Sequence, residues 1–131
     1  MIVLDTQAWV WWAAAPDNLS RRAARAIESG LRSASVFVSG FSVWEAAMLL
    51  ARGRLQLAID LSEWIAEFEK LPGLRFAPVT NAIALASVNL PGEFHSDPAD
   101  RIIVATARHL GAEIVSSDLK IRRYAHVKSL W

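Results

Sequence analysis

The sequence predicts an α/β protein, a three-layer α/β/α sandwich around a small central parallel sheet of four to five strands. Short apolar runs alternate with longer segments of helical periodicity from one end of the chain to the other. Those runs are mainly apolar, as strands covered on both faces are. The 131 residues suit one domain, expected over residues 1–131 without repeat, linker or low-complexity tract. A chain of that size buries roughly two thirds of the surface that its unfolded form exposes.

Met1–Leu4 is an apolar run that ends at Asp5 and reads as a buried strand. Ala8–Ala15, rich in Ala and Trp and stopped by Pro16, reads as a short helix. Asp17 or Asn18 caps a helix over Leu19–Ser29 that closes at Gly30. Ser35–Ser39, β-branched and aromatic, is a second strand. Helices follow over Ser42–Arg52, ending at Gly53, and over Leu61–Leu71, ending before Pro72-Gly73. Leu74–Ala77 precedes Pro78 and reads as a third strand, and Thr80 caps a helix over Asn81–Val88. Leu90–His95, with its Pro91-Gly92, is a loop. Asp97 stands at the N-cap and Pro98 at the first position of a helix over Pro98–Leu110, which Gly111 ends. Glu113–Ser116 is a fourth strand, Leu119–Tyr124 a helical turn and Val127–Leu130 an edge strand.

Composition narrows the chemistry. The absence of cysteine excludes disulfide scaffolds, thiolate zinc sites and cysteine nucleophiles. The three histidines, His95, His109 and His126, are scattered, which argues against a histidine-rich metal site. A net charge of +1 means that any nucleic acid binds through a local basic patch rather than a whole-molecule field. Arginines gather at Arg21, Arg22, Arg25 and Arg32, at Arg52 and Arg54, at Arg101 and Arg108, and at Arg122 and Arg123. They suit solvated helix faces or phosphate contacts. Trp9, Trp11 and Trp12 cannot all face one core, so at least one is expected to be exposed or covered by a partner. No run approaches the roughly 18 apolar residues of a membrane span, and MIVLDTQ lacks a basic region ahead of an apolar stretch, so a cytoplasmic protein is expected.

Four acids then stand out. In an open parallel sheet, ligands bind beyond the carboxyl ends of the strands. Asp5 follows the first strand and Asp118 the fourth. Glu45 lies in the helix after the second strand, and Asp100 in the helix before the fourth. The topology turns all four toward one rim. Each has an ordinary explanation as well: Ser42-Val43-Trp44-Glu45 matches a capping box, Asp97 and Asp100 suit a helix start, and Asp118 can cap a turn. Asp5 is harder to explain so, because an acid joined to a buried strand is costly without a cation. Two unit charges about 4 Å apart interact by roughly 4 kcal/mol at an effective dielectric near 20. No lysine adjoins Asp5, Glu45 or Asp100 in the sequence, so some acids stay protonated or a divalent cation binds. Oxygen donors without His or Cys suit Mg²⁺ or Mn²⁺, which activate water and clamp phosphates. The hydroxyls of Thr6, Ser42 and Ser116 are placed to orient water or phosphate, or to cap local structure.

The same residues carry a resemblance along almost the whole chain. MIVLDTQAWVWW, SGFSVWEAAMLLARGRLQL and HSDPADRIIVATARHLGAEIVSSD, in that order, resemble the blocks of VapC-type PIN domains, the ribonuclease toxins of toxin–antitoxin pairs. The closing Trp131 also suits the pattern. The resemblance implies a PIN-like fold and Mg²⁺-dependent endoribonuclease activity, with Mn²⁺ able to substitute and a water nucleophile. It implies Asp5, Glu45, Asp100 and Asp118 as catalytic residues, with Asp5 and Asp100 as primary metal ligands. Glu45 and Asp118 would then act at the metal or through water. Thr6, Ser42, Ser116 and Arg101 are the expected substrate contacts. A homodimer and a VapB-like antitoxin are the implied partners besides RNA. Ser116 stands where Thr is usual and keeps the hydroxyl; Ala99 replaces a bulkier residue and removes no ligand.

Three other readings compete. A receiver-like domain needs an acceptor Asp after a middle strand and a Lys at a later strand end, but Ser39-Gly40 follows the second strand and Lys128 lies within the last. A catalytically silent PIN-like module would lack Asp5 or Asp100, and both are present. A nuclease of RNA maturation without an antitoxin keeps the chemistry and changes the role.

Overall fold

Strands of two to four residues become stable here by pairing in one direction and being covered on both faces. In a computed structural model that describes residues 1–131, these strands are β1 (Ile2–Leu4), β2 (Val36–Ser39), β3 (Leu74–Ala77), β4 (Glu113–Val115) and β5 (Ser129–Leu130). They form one wholly parallel sheet in the order β3-β2-β1-β4-β5. Leu4 is in register with both Val38 and Val115. The next residues, Asp5, Ser39 and Ser116, therefore leave the sheet side by side.

Seven helices supply the outer layers: α1 (Thr6–Ala14), α2 (Arg21–Arg32), α3 (Gly40–Ala51), α4 (Leu61–Lys70), α5 (Asn81–Val88), α6 (Pro98–Leu110) and α7 (Leu119–Arg122). The side-chain alternation of the strands sorts the core. Ile2, Leu4, Val36, Val38 and Val115 pack on one face with Trp9 of α1, Ile27 of α2 and Trp64 of α4. Val3 and Ile114 pack on the other with Ile83 of α5, Ile103 and Val104 of α6, and Ile121 of α7. Five strands in three layers agree with the expected sandwich.

The tryptophan run is taken up mainly by the chain itself. Trp9 is fully buried, its ring centroid 4.7 Å from that of Trp64, 5.6 Å from Phe68 and 5.7 Å from Phe76. Trp11 and Trp12 are half-buried against Trp131 and Phe68. The exposed tryptophan is Trp44, at 56%.

Several boundaries differ from the sequence expectation. Helix α1 begins at Thr6, directly after β1, because Asp5 caps it by accepting from the Ala8 N–H at 2.8 Å. Pro16–Asn18 is a 3₁₀ turn, and Ser20 rather than Asp17 or Asn18 caps α2, accepting from the Ala23 N–H. Gly30 does not close α2, which runs on to Arg32. Gly30 is instead where the helix meets the sheet, since a Cβ there would lie 2.7 Å from Val36 Cγ2. Val127 and Lys128 fall outside the last strand.

Gly73 shows how tightly the β3 entry is built. Its φ is +91°, a Cβ would stand 2.3 Å from the Leu31 carbonyl oxygen, and its own carbonyl accepts from the Val36 N–H. Gly73→Ala combines left-handed strain with a backbone clash, so it is expected to lower unfolding stability by about 1–3 kcal/mol. Urea denaturation checks this; an unchanged midpoint contradicts it.

Candidate active site

Most of the buried polar residues collect at one edge of the sheet. Asp5 and Thr6 follow β1, Ser39 ends β2, Ser42 lies in the first turn of α3 and Ser116 follows β4; all five are buried. Desolvated polar groups need partners, and here they find one another. Thr6 Oγ1 contacts Glu45 Oε1 and lies 2.8 Å from Ser42 Oγ. Thr6 thus joins the start of α1 to α3 and holds the Glu45 carboxylate.

The capping box expected at Ser42–Glu45 does not form. Helix α3 starts two residues earlier, with Ser39 accepting from the Phe41 N–H. Ser42 and Glu45 consequently sit within the helix, three residues apart on one face. Their polar atoms turn to Thr6 instead of to the helix end.

Asp5, Glu45, Asp100 and Asp118 line one cleft of about 290 Å³, together with Thr6, Gln7, Leu49 and Ser117. The four acids singled out in the sequence, spread from one end of the chain to the other, are thus brought together. Local hydrogen bonds position three of them. Asp5 is held by Ala8 N–H. Asp118 accepts from Lys120 N–H at 2.8 Å, while its own N–H donates to Ser116 Oγ at 3.0 Å. Asp100 lies in the first turn of α6, its N–H donating to the Asp97 carboxylate at 3.0 Å.

Electrostatics reflects this crowding. Burial pushes the Asp5 carboxyl from the ordinary 3.8 up to about 6, with Asp118 and Glu45 adding repulsion and Ser116 and Ala8 opposing it. Burial also raises Asp100, to about 7, reinforced by Asp97, Asp118, Glu45 and Asp5. Glu45 is raised by burial, offset by Thr6 and reinforced by Asp97. No group of three acidic or histidine side chains is arranged to hold a metal ion unaided.

Two participants were not assigned from sequence. Asp97 is a fifth acid whose charge acts on Glu45 and Asp100. His95 Nε2 lies 3.0 Å from Asp100 Oδ2 without the alignment of a hydrogen bond. Its Nδ1 accepts from the Asp97 N–H. The spacing His-x-Asp-Pro-x-Asp was the available signal. Arg101, expected as a substrate contact, has a different employment. Its Nε donates to the Ser87 carbonyl at 2.7 Å and its Nη1 to the Phe94 and His95 carbonyls at 2.9 and 3.2 Å. It braces the loop that presents His95. The arginines of α2 are exposed on the helix, and none lines the cleft.

By fold and site, this is a parallel α/β sandwich with an acid-lined cleft at the carboxyl edge of its sheet. The sequence matches the family model described as PIN domain over residues 2–127. It is 35% identical over 125 residues, 95% of this chain and 92% of the relative, to Ribonuclease VapC22 of Mycobacterium tuberculosis (strain ATCC 25618 / H37Rv). The chain belongs to the PIN-domain family and to its VapC group. Among solved structures, FitAcB from Neisseria gonorrhoeae is similar with a TM-score of 0.68 at 21% identity, over 99% of this chain and 96% of that one. VapBC2 from Rickettsia felis bound to a DNA fragment from their promoter is similar with a TM-score of 0.69 at 14% identity, over 99% and 98%. At those identities the likeness is one of fold.

The raised carboxyls carry a pH dependence of defined sign. Asp5 and Asp100 hold protons more tightly in the folded than in the unfolded chain. Between about pH 4 and 7 the folded state binds more protons, so stability falls as pH rises through that window. In metal-free buffer, Asp100→Asn is expected to raise the melting temperature at pH 8 by at least about 3 °C and to change it far less at pH 4.5. Thermal melts at the two pH values check this; equal shifts at both contradict it.

Proposed function

We propose that this protein is the toxin of a toxin–antitoxin pair, an Mg²⁺-dependent endoribonuclease that hydrolyses RNA phosphodiester bonds with water. The observation that carries this is the convergence of Asp5, Glu45, Asp100 and Asp118 on one cleft, where two of their carboxyls are pushed up to about 6 and 7. The relative named a ribonuclease supports the reaction. The toxin-antitoxin complex from Klebsiella pneumoniae, a TM-score of 0.64 away at 19% identity over 97% of this chain and 95% of that one, supports the role. A VapB-like antitoxin and a second copy of the chain are the partners this reading assigns. It favours a toxin over a nuclease of RNA maturation because VapBC complexes recur among the similar structures.

The donor set fits a hard divalent cation. All four acids offer oxygen, and their mutual repulsion is relieved by positive charge. Mg²⁺ typically binds through one or two carboxylates and keeps several waters, so the lack of a three-acid cage suits it. Asp5 and Asp100 would hold the ion, with Mn²⁺ able to replace it. When bound, the cation supplies Lewis acidity toward the phosphate and lowers the pKa of water. Glu45, held by Thr6, positions the attacking water and takes up its proton, a task suited to a carboxylate whose pKa is raised. Asp118, which lines the same cleft, would act on the cation through water. Ser116 keeps Asp118 in place through the Asp118 N–H. Thr6 acts by holding Glu45, and Ser42 by pairing with Thr6.

Incubation with total RNA in Mg²⁺ is expected to give defined cut ends that EDTA abolishes. Asp5→Asn and Asp100→Asn are each expected to reduce cleavage by at least about 100-fold while keeping a wild-type circular dichroism spectrum. Either variant cutting at the parental rate overturns the assignment. Mg²⁺ or Mn²⁺ at about 100 times its dissociation constant is expected to stabilise the parent by about 2.7 kcal/mol, seen as a higher melting temperature. An unchanged melt at millimolar metal contradicts a site.

A further inference from the structure

The acid cleft continues sideways into a groove of about 340 Å³ between α3 and the start of α6. Glu45 and Leu49 line both spaces. Phe41, Trp44, Met48 and Arg52 complete the α3 wall, and Pro98 and Ala99 face them. The α3 residues recur at three- and four-residue intervals and so form one stripe along the helix. Trp44 is 56% exposed, the one exposed large hydrophobic side chain of the groove. Its ring stands 5.3 Å from Phe41 at 30°, so a second aromatic backs one side of the indole. An exposed apolar patch rimmed by polar groups marks a binding surface.

We propose that this groove is a nucleobase subsite, in which Trp44 stacks an unpaired RNA base next to the phosphate held in the acid cleft. The proposal rests on the ribonuclease reading. Any phosphodiester in the cleft brings a base on each side, and the groove opens directly from that cleft. The charges divide the groove by function. Glu45 and Asp97 at its near end repel a phosphate, so the sugar–phosphate chain cannot lie there. The apolar middle accepts a flat ring, and the small Ala99 leaves room for it. Exposed Arg52, a little over two turns along α3 from Trp44, supplies the cation for the next phosphate. Aromatic stacking is tolerant of base identity and contributes about tenfold or more in affinity per base.

The test uses a short labelled single-stranded oligoribonucleotide spanning a cut site mapped on total RNA, with a non-hydrolysable phosphonate linkage at the cut phosphate, and anisotropy measured in Mg²⁺. Trp44→Ala is expected to weaken binding about tenfold and Trp44→Phe to retain most of it, with wild-type melting temperatures for both. Removing the base beside the cleaved phosphate is expected to weaken parental binding similarly and to leave the Trp44→Ala variant unaffected. The proposal is overturned if Trp44→Ala binds like the parent, or if its loss persists undiminished on the abasic oligonucleotide. It is likewise overturned if Trp44→Ala changes only the elution volume or antitoxin binding, which would assign the groove to a protein partner. A parent that cuts no RNA defeats the ribonuclease reading itself; a parent that cuts while Trp44→Ala matches it defeats the subsite alone.

Discussion

The structure turns on the desolvation of Asp5. A three-residue strand in the middle of a parallel sheet delivers this carboxyl to a place where only 6% of the residue remains exposed. It has one backbone donor, from Ala8, to help keep it charged. Because β1 is central and in register with β2 and β4, whatever follows those strands is carried to the same edge. The acids of α3 and the β4–α7 junction therefore add their repulsion to a group that is already hard to ionise. The cleft is the point where the fold gives up stability for chemistry, a common trade at functional sites.

What surrounds the acids is organised to hold them rather than to neutralise them. Thr6 holds Glu45, Ser116 holds the Asp118 backbone, Asp97 caps the helix that carries Asp100, and Arg101 braces the loop behind His95. The one imidazole beside the acids is His95, against Asp100. Cations that could quench the cluster are kept out of the cleft, with arginine used on carbonyl oxygens or left on exposed helix faces. This leaves the negative potential available to a hard cation and its water.

Much of this was legible in the sequence for physical reasons. Strands buried on both faces read as apolar runs, so Ile2–Leu4 and Val36–Ser39 stood out, while Leu74–Ala77, with the exposed Arg75 in it, gave a weaker signal; parallel topology then implied one acid-bearing edge. The features that the sequence left open or placed differently depended on contacts between distant segments. Gly30 looks like a helix stop, yet it is the place where α2 touches Val36 and Ile2. Ser42 and Glu45 have the spacing of a capping box, but Ser39 starts the helix earlier and Thr6 claims both side chains. Arg101 carries the charge of a phosphate ligand, but the loop carbonyls that occupy it could not be placed from the sequence. His95 and Asp97 belonged to a visible motif whose folding back onto Asp100 required that brace.

The central claim is that distant carboxyls share a space that delays their ionisation from the ordinary carboxylate range to near neutral pH. Carbon-13 NMR of the side-chain carboxyls in metal-free protein, titrated from pH 3 to 9, tests it most directly. Asp5 is predicted to titrate near 6 and Asp100 near 7, with both midpoints moving down when Mg²⁺ is added. Titration of both near 4, indifferent to metal, would contradict the account.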